Sequence, residues 1–446
     1  MKKVITYGTY DLLHHGHVKL LERAKALGDY LIVGVTADDF DVSRGKINVQ
    51  QSLIERVEAI RATGIADDII VEEYEGQKID DIKRYNIDIF TVGSDWIGKF
   101  DYLNEFCQVI YLPRTEGISS SELRSEDRRL RLGLVGEYQY INKYVKEASV
   151  VNGLTVSHIY AEHTDNIEKE NKCLVTSLDY EAFLNEVDAV FIASRPELHY
   201  EQIKSALTKK KHILCESPIA LSEEKCIELF ALAEQNDCVL MDAIKTAYAT
   251  AFSRLLLLAK TGKIGKVVSI DATCTSLMNR ERIKALNNEW KSICAWGPTA
   301  LLPIFQLLGT NFIKKDIVTK YLSKTKKFDA YTKINFVYPN ATATVQIGKG
   351  VKSEGDLVIM GTEGFFYVPS PWWKTEYFEV RYENPADNKR IFYQLEGEGI
   401  RNELVSFVRS IQGLRTVIHI DKNVSVRISK IIEDFETGKD VTEIVF

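Results

Sequence analysis

A chain of 446 residues exceeds one ordinary domain and sets an expectation of two or three. Hydrophobic content of 45% and charged content of 27% are those of a soluble globular protein, and a net charge of −6 excludes a general pull towards nucleic acid or anionic membrane. Any cluster of positive charge that binds phosphate must therefore be local. Seven cysteines, at 107, 173, 215, 226, 238, 274 and 294, show no C-x-x-C spacing, which reads as reduced thiols in a cytoplasmic protein. The start of the chain enters a strand at once without a charged-then-apolar leader, and apolar runs such as Leu255 to Ala259 are too short for membrane insertion.

Val4-Ile5-Thr6-Tyr7 predicts a strand, and the run from Gly8 to His17, Gly-Thr-Tyr-Asp-Leu-Leu-His-His-Gly-His, predicts a tight turn feeding a helix that starts near His17. Helix-end N–H groups at such a junction favour phosphate. His14 and His17 bracket Gly16 there, and imidazoles can donate to phosphate oxygens as charge builds up. Gly16 lacks a Cβ, so a ligand can approach the backbone closely. Three of the chain's eight histidines fall within four positions, which favours function over chance surface placement. A second strand-to-helix corner follows Val109–Pro113: Arg114-Thr115-Glu116-Gly117-Ile118-Ser119-Ser120-Ser121-Glu122-Leu123. Arg114 can clamp phosphate bidentately, and Ser119, Ser120 and Ser121 can cap helix N–H groups or meet phosphate. Taken alone, this corner also fits an ordinary helix cap with a surface arginine.

The charged stretch Ser125–Arg129 reads as a boundary, giving domains 1–128, 129–248 and 249–446. Strands are predicted at Leu130–Gly136, Thr155–Ala161, Asp188–Ala193, His212–Cys215 and Cys238–Met241. Amphipathic helices, such as His199–Lys209 and Ser222–Asn236, lie between them and argue for a second parallel, Rossmann-like sheet. From about Phe252 the texture turns β-rich, at Lys266–Cys274, Ala330–Lys349 (with a turn at Pro339-Asn340) and Trp372–Tyr382. That texture predicts a mostly antiparallel open sheet with helices on one face, an α+β domain, followed by helices near Ile400–Gln412 and Lys422–Thr437.

The first segment, Met1 to about Arg124, resembles the glycerol-3-phosphate cytidylyltransferases of the HxGH nucleotidyltransferase superfamily. The run at 8–17, the helix Lys19–Lys25, Gly93-Ser94-Asp95-Trp96 with Gly98–Asp101, and the run at 114–121 carry the likeness. The resemblance implies attack of a polyol phosphate on the α-phosphorus of CTP, with loss of pyrophosphate and no covalent intermediate. His14 and His17 would stabilise the α-phosphate, Arg114, Ser119 and Ser120 would hold pyrophosphate, and Lys46 would reach over the phosphates. Gly8, Thr9, Tyr10, Gly93 and Asp95 would line the nucleotide pocket, and Asp11 would order it. Mg²⁺ would bridge phosphate oxygens, with no metal-ligand set of the protein's own. The family commonly places an arginine where this chain has Gly64, so Arg56 or Arg61 becomes a candidate for the acceptor phosphate, against a solvated helix face as the plainer reading.

The segment from about Arg129 onward resembles a Gfo/Idh/MocA-type oxidoreductase, through Ala193–His199, Ala206-Leu207, Lys211–Pro218 and Thr261–Val267. Such enzymes bind NAD or NADP and move a hydride at a sugar or polyol carbon, which makes Gly136, Glu162, Glu216 and Pro218 cofactor candidates. The chemistry reads as eroded. Of the dinucleotide fingerprint's three glycines only Gly136 survives, with Tyr138 and Ile141 in the other places. Ser217 stands where the family's Glu-Lys-Pro lysine would be. Lys245 or Tyr248 could replace a missing proton donor.

Three readings follow. The chain is a cytidylyltransferase making a CDP-polyol, such as CDP-glycerol, for a wall or capsule polymer, with a structural or regulatory rear half. Alternatively, the rear half reduces a keto-phosphate that the front half then activates. In the third reading the rear half, or the whole chain, is a binding or scaffold module. The paired motifs favour the first, and both resemblances imply a homodimer or larger homo-oligomer.

Overall fold

The computed structural model describes residues 1–37, 49, 51–74, 76–113, 129–136, 140–151, 153–165, 167–176, 179–278, 290–322, 328–393, 395, 397–413 and 420–444. Lys46, Arg114, Ser119, Ser120, Ser121 and Tyr138 lie outside these residues. The chain divides into two compact units, residues 1–129 with 151–153, and the remainder.

Among the described residues, unit 1 is built on five parallel strands in the order β3-β2-β1-β4-β5. They are β1 (Lys3–Gly8), β2 (Tyr30–Thr36), β3 (Asp68–Glu72), β4 (Ile89–Gly93) and β5 (Gln108–Leu112). Crossing helices include α1 (His15–Lys25), α2 (Leu53–Thr63) and α3 (Gln77–Tyr85). Successive residues of the central strands feed opposite faces. Val4, Leu31 and Val33 pack with Leu21 and Ile60 on one side. On the other, Ile5, Ile32 and Phe90 pack with Ile82. A side chain of this size contributes about 1.5–3 kcal/mol when fully buried, so both layers hold the sheet. The strand order reverses between β1 and β4, and the crevice at their carboxyl ends is where α/β sheets take ligands.

Unit 2 holds two sheets. One is parallel, order β10-β9-β8-β6-β7, from β6 (Leu130–Val135), β7 (Leu154–Tyr160), β8 (Ala189–Ile192), β9 (His212–Cys215) and β10 (Leu240–Asp242). Helices α4 (Tyr140–Ala148), α5 (Tyr180–Asn185), α6 (Pro196–Thr208) and α7 (Glu223–Gln235) alternate with these strands. After α8 (Thr250–Lys260) come β11 (Val267–Thr275), α9 (Ser292–Leu308), β12 (Lys314–Tyr321), β13 (Asp329–Val337), β14 (Thr342–Gly348), β15 (Leu357–Gly361), β16 (Phe365–Val368), β17 (Tyr377–Arg381) and β18 (Lys389–Phe392). The chain closes with α10 (Ile400–Ile411), α11 (Lys422–Thr437) and β19 (Val441–Glu443). Among the described residues the second sheet has nine strands, ordered β18-β17-β16-β15-β11-β14-β13-β12-β19.

Two differences from the sequence reading have physical reasons. Helix α1 starts at His15 rather than near His17, because the His14 side chain caps it. The large sheet is mixed, not simply antiparallel: β11 runs parallel to β14, and β12 to β19, since helices intervene between those partners. Helix α11 packs on both α7 and α9, and α10 on α4, tying the two sheets together.

Candidate active site

The turn after β1 is held in an unusual backbone conformation. Tyr10 (φ 54°) and Leu12 (φ 48°) both occupy the left-handed region, which costs non-glycine residues energy and recurs at functional sites. A Cβ on Gly8 would sit 3.0 Å from the Tyr10 ring, so glycine lets that ring fold back over the strand end. Tyr10 is only 2% exposed and sits in the core, its ring edge-on to His17 with centroids 5.5 Å apart. Its ring supports His17 from beneath rather than opening onto the surface.

His14 Nδ1 accepts the Gly16 N–H at 3.1 Å, which caps α1 and leaves Nε2 as the protonated nitrogen of the neutral ring. The His14 and His17 rings stack, centroids 3.9 Å apart. Both are half-buried, whereas His15 between them is exposed. The structure thus brings His14, Gly16 and His17 together at a helix N-terminus at the carboxyl edge of the sheet.

Hydrogen bonds of Asp11, Gln51 and Arg56 hold this turn. Asp11, 1% exposed, accepts the Gln51 N–H at 3.0 Å, and the Gln51 side chain accepts the Leu12 N–H at 2.8 Å. Arg56 is fully buried and donates to the carbonyls of Thr9 (2.7 Å), Thr36 (2.9 Å) and Gln51 (3.2 Å). Arg56 therefore ties the ends of β1 and β2 to the start of α2. Arg61 lies exposed on α2 and pairs with Glu58, as a solvated helix face predicts. Gly64 has φ +66° and is the left-handed C-cap of α2, which explains glycine there on backbone grounds.

Gly93 ends β4, and a Cβ on it would meet nothing within 4 Å, so space is open above it. Asp95 follows in a short 3₁₀ turn and is exposed. Thr9 is 8% exposed. The end of β5 is brought to the same edge by Gly93 pairing with Leu112, and Arg23 of α1 donates to the Pro113 carbonyl at 2.8 Å.

Sequence reasoning missed Gln51 and a buried ion pair. Lys78 bonds Glu72 at the end of β3, and Glu72 also accepts from Thr36 at 3.0 Å. The Lys78 ammonium lies 4.7 Å from the Tyr7 ring centroid. Tyr7 donates to Asp81 at 2.8 Å, and burial followed by that carboxylate pushes its phenol far up. A carboxylate at a strand's carboxyl end was the one available signal for this pair.

In unit 2, Gly136 (φ +141°) turns the chain after β6, and a Cβ there would lie 2.7 Å from the Ala193 carbonyl. Glu162 is exposed just beyond β7. Ile141, at the fingerprint's third glycine place, is fully buried on α4. Glu216, Ser217, Lys245 and Trp296 line a cavity of about 250 Å³ at the carboxyl end of the parallel sheet. Burial pushes the Glu216 carboxyl up to about 7, with Lys245 opposing. His199 lies between the carbonyls of Pro218 (2.8 Å) and Ser194 (2.9 Å), so Pro218 serves to shape that turn. With Ile141 and Ser217 in these places, the residues fit a hydride-transferring NAD(P) site poorly.

A stacked histidine pair sits on a helix N-terminus at the crevice of the front unit's parallel sheet. Residues 5–126 match the family model described as Cytidylyltransferase-like. Glycerol-3-phosphate cytidylyltransferase of Bacillus spizizenii is 51% identical over 126 residues, 28% of this chain and 97% of that protein. The Staphylococcus aureus enzyme of the same name is 46% identical over 126 residues, covering 28% and 95%. The chain belongs to the cytidylyltransferase family, and its front unit is a CTP-dependent nucleotidyltransferase.

Residues 130–243 match the model described as Oxidoreductase family, NAD-binding Rossmann fold. A scyllo-inositol 2-dehydrogenase (NADP(+)) of Bacillus subtilis is 23% identical over 287 residues, 60% of this chain and 86% of that protein. The structure of a 3-ketoreductase from Actinomadura kijaniata superposes with a TM-score of 0.62 at 16% identity, over 72% of this chain and 100% of that one. The rear unit therefore has the oxidoreductase fold. Among the described residues no helix is long and apolar enough to cross a membrane.

Proposed function

We propose that the front unit transfers the cytidylyl group of CTP to a polyol phosphate, foremost glycerol 3-phosphate, releasing a CDP-polyol and pyrophosphate for a wall or capsule polymer. The stacked His14–His17 pair on the first turn of α1 carries this reading. An acceptor phosphate oxygen attacks the α-phosphorus of CTP, and the bond to the β-phosphate bridging oxygen breaks. Negative charge shifts onto the α-phosphate oxygens and the leaving pyrophosphate. His14, with Nδ1 engaged by Gly16, offers Nε2–H to the α-phosphate; His17 offers a second donor, and the α1 N-terminus adds its dipole. Arg114, Ser119, Ser120 and Ser121 hold the departing pyrophosphate, and Lys46 reaches over the phosphates. Gly8, Gly93 and Asp95 border the nucleotide.

Asp11 is one buried carboxylate, and among the described residues no three His, Cys, Asp or Glu side chains converge to hold a metal. In this reading a Mg²⁺ would take its oxygens from nucleotide phosphate and water. Bound that way, the cation supplies neutralising charge on the triphosphate.

The experiment is pyrophosphate release from CTP with a panel of polyol phosphates. Turnover highest with glycerol 3-phosphate supports the proposal; no release with any polyol phosphate removes it.

The match of residues 130–243 to NAD-binding oxidoreductases favours a second reading, in which the rear unit reduces a keto-phosphate to the front unit's acceptor. Buried Ile141 and Ser217 argue against it. Titration with NADPH, followed by nicotinamide fluorescence, decides: saturable enhancement supports the reductase, and none removes it. Association as a homodimer or larger homo-oligomer belongs to the same proposal and is read by sedimentation.

A further inference from the structure

Gln51 stands between a fixed anchor and a strained corner of unit 1, and it bonds both. The anchor is the start of α2. There the Ser52 hydroxyl accepts the Glu55 N–H at 3.3 Å, and the Glu55 carboxylate accepts the Ser52 N–H at 2.7 Å and the Ser52 hydroxyl at 2.8 Å. This reciprocal cap fixes the first turn of the helix. From inside that helix, Arg56 Nε donates to the Gln51 carbonyl at 3.2 Å. The strained corner follows β1, where Tyr10 and Leu12 both have left-handed φ, at 54° and 48°. The Gln51 N–H donates to Asp11 Oδ1 at 3.0 Å, and Gln51 Oε1 accepts the Leu12 N–H at 2.8 Å. Three polar groups of one residue, its N–H, its carbonyl and its side-chain oxygen, thus join the corner to the helix.

The side-chain bond meets the corner where the backbone is least stable by itself. In the left-handed region a leucine Cβ crowds the following carbonyl, so the Leu12 peptide keeps that conformation only while something holds it. Leu12 lies two residues before His14. His14 Nδ1 accepts the Gly16 N–H at 3.1 Å, and its ring stacks on that of His17 with centroids 3.9 Å apart. A flip of the Leu12 peptide would redirect the chain into His14 and move both imidazoles against the N-terminus of α1. The route from Gln51 to the imidazoles runs through this backbone.

We propose that Gln51 is a positioning residue for cytidylyl transfer. Its side-chain oxygen holds the Leu12 peptide in the left-handed conformation, so that His14 and His17 stand in a fixed place before the nucleotide arrives. The inference rests on the reading of unit 1 as a cytidylyltransferase and adds to it the residue that sets the shape of the corner. Preorganised donors act on the chemical step more than on ground-state binding, so their loss falls on kcat rather than KM. The proposal also has a consequence that needs no turnover. While the corner is held, His14 Nδ1 stays an acceptor and Nε2 carries the proton.

The test uses the full chain. Gln51→Met keeps the length of the side chain and removes its oxygen. With CTP, glycerol 3-phosphate and Mg²⁺, this variant should lose at least about tenfold in kcat while its KM for CTP stays within about threefold of wild type. Leu12→Asn gives position 12 a residue that accepts left-handed backbone at lower cost. In a chain that carries Leu12→Asn, the same Gln51→Met change should lower kcat by no more than about threefold. A lost substrate contact, or a general weakening of the fold, would not be repaired from position 12. Histidine-selective ¹⁵N spectra, recorded at a pH where histidine is neutral, give the second readout. Wild type should show His14 as the Nε2–H form, and Gln51→Met should show exchange between the two tautomers. An unchanged kcat in Gln51→Met overturns the proposal, as does an equal loss with and without Leu12→Asn. An unchanged His14 tautomer in Gln51→Met overturns it too. Absence of pyrophosphate release in wild type counts against the front-unit reading alone, and the tautomer spectra then decide whether Gln51 holds the corner.

Discussion

The imidazole of His14 lies over that of His17, ring centroids 3.9 Å apart and planes 23° from parallel, while His14 Nδ1 accepts the Gly16 amide at 3.1 Å. His14 therefore caps a helix, and the proposed function gives it a second, separable task of facing a phosphate. His14→Ala and His17→Ala should each lower kcat for cytidylyl transfer by about 10²–10³-fold. His14→Asn should keep the cap, worth about 1 kcal/mol, without restoring turnover. Urea midpoints beside kcat check this; recovery of turnover in His14→Asn would show that only the cap matters.

Arg56 makes three bonds to backbone carbonyls from a fully buried position. Truncation leaves those carbonyls unpaired inside the sheet edge. Arg56→Ala should cost about 3–5 kcal/mol, comparable to breaking other buried charged networks. Arg56→Lys, which cannot span all three carbonyls, should be intermediate in stability and low in kcat. An Arg56→Lys chain of unchanged stability, with only the acceptor KM raised, would return Arg56 to the role of direct phosphate ligand.

Gly64 caps α2 with φ +66°, and a side chain there would meet nothing within 4 Å. Gly64→Ala should destabilise by about 1 kcal/mol through the left-handed backbone alone. Gly64→Arg should pay the same backbone cost and, if an arginine there reaches the acceptor, lower the KM for the polyol phosphate. Equal KM values for Gly64→Ala and Gly64→Arg would show that the position does not meet substrate.

Lys78 and Glu72 form a buried pair, and removing one partner takes the counter-charge from the other. Lys78→Met should cost several kcal/mol, and Lys78→Met with Glu72→Gln should recover most of it. The measurement is a double-mutant cycle on urea unfolding. Purely additive losses would mean that the two groups are not coupled.

Glu398 gives a pH signature: burial opposes its ionisation, but ion pairs with Lys143, Lys374 and Lys245 hold the carboxylate charged. Its native carboxyl titrates near 2, against an ordinary value of 4.5. A group depressed on folding contributes stability above its unfolded pKa and loses it as pH falls through the range 4.5 to about 2. Between pH 6 and pH 3 the wild-type chain should lose more thermal stability than Glu398→Gln. Solvent screening keeps the difference on the order of 1 kcal/mol. Parallel decline of the two proteins would mean that the lysines do not hold Glu398 in solution.

Much of the fold was legible because it rests on local patterns. Val4–Tyr7 is largely apolar, as a central parallel strand requires, and the strand–helix alternation from Leu130 to Met241 placed the second sheet to within a residue or two. The parallel pairings of β11 with β14 and β12 with β19 were not legible, since texture does not reveal which strand lies beside which. At the site, the histidines declared themselves by spacing. The burial of Arg56 did not, because it depends on the ends of β1 and β2 converging on α2. Glu398 was invisible for the same reason: its lysines are 255, 153 and 24 residues away in the chain, by the numbering 143, 245 and 374.

The central claim is that the first β-to-α corner holds a nucleoside triphosphate while its innermost phosphorus is displaced. The direct measurement is the fate of label from [α-³²P]CTP incubated with the full chain, glycerol 3-phosphate and Mg²⁺. The account predicts label in CDP-glycerol with stoichiometric unlabelled pyrophosphate, and loss of both in His17→Ala. Label remaining in CTP, or released as CMP without a CDP-polyol, would contradict it.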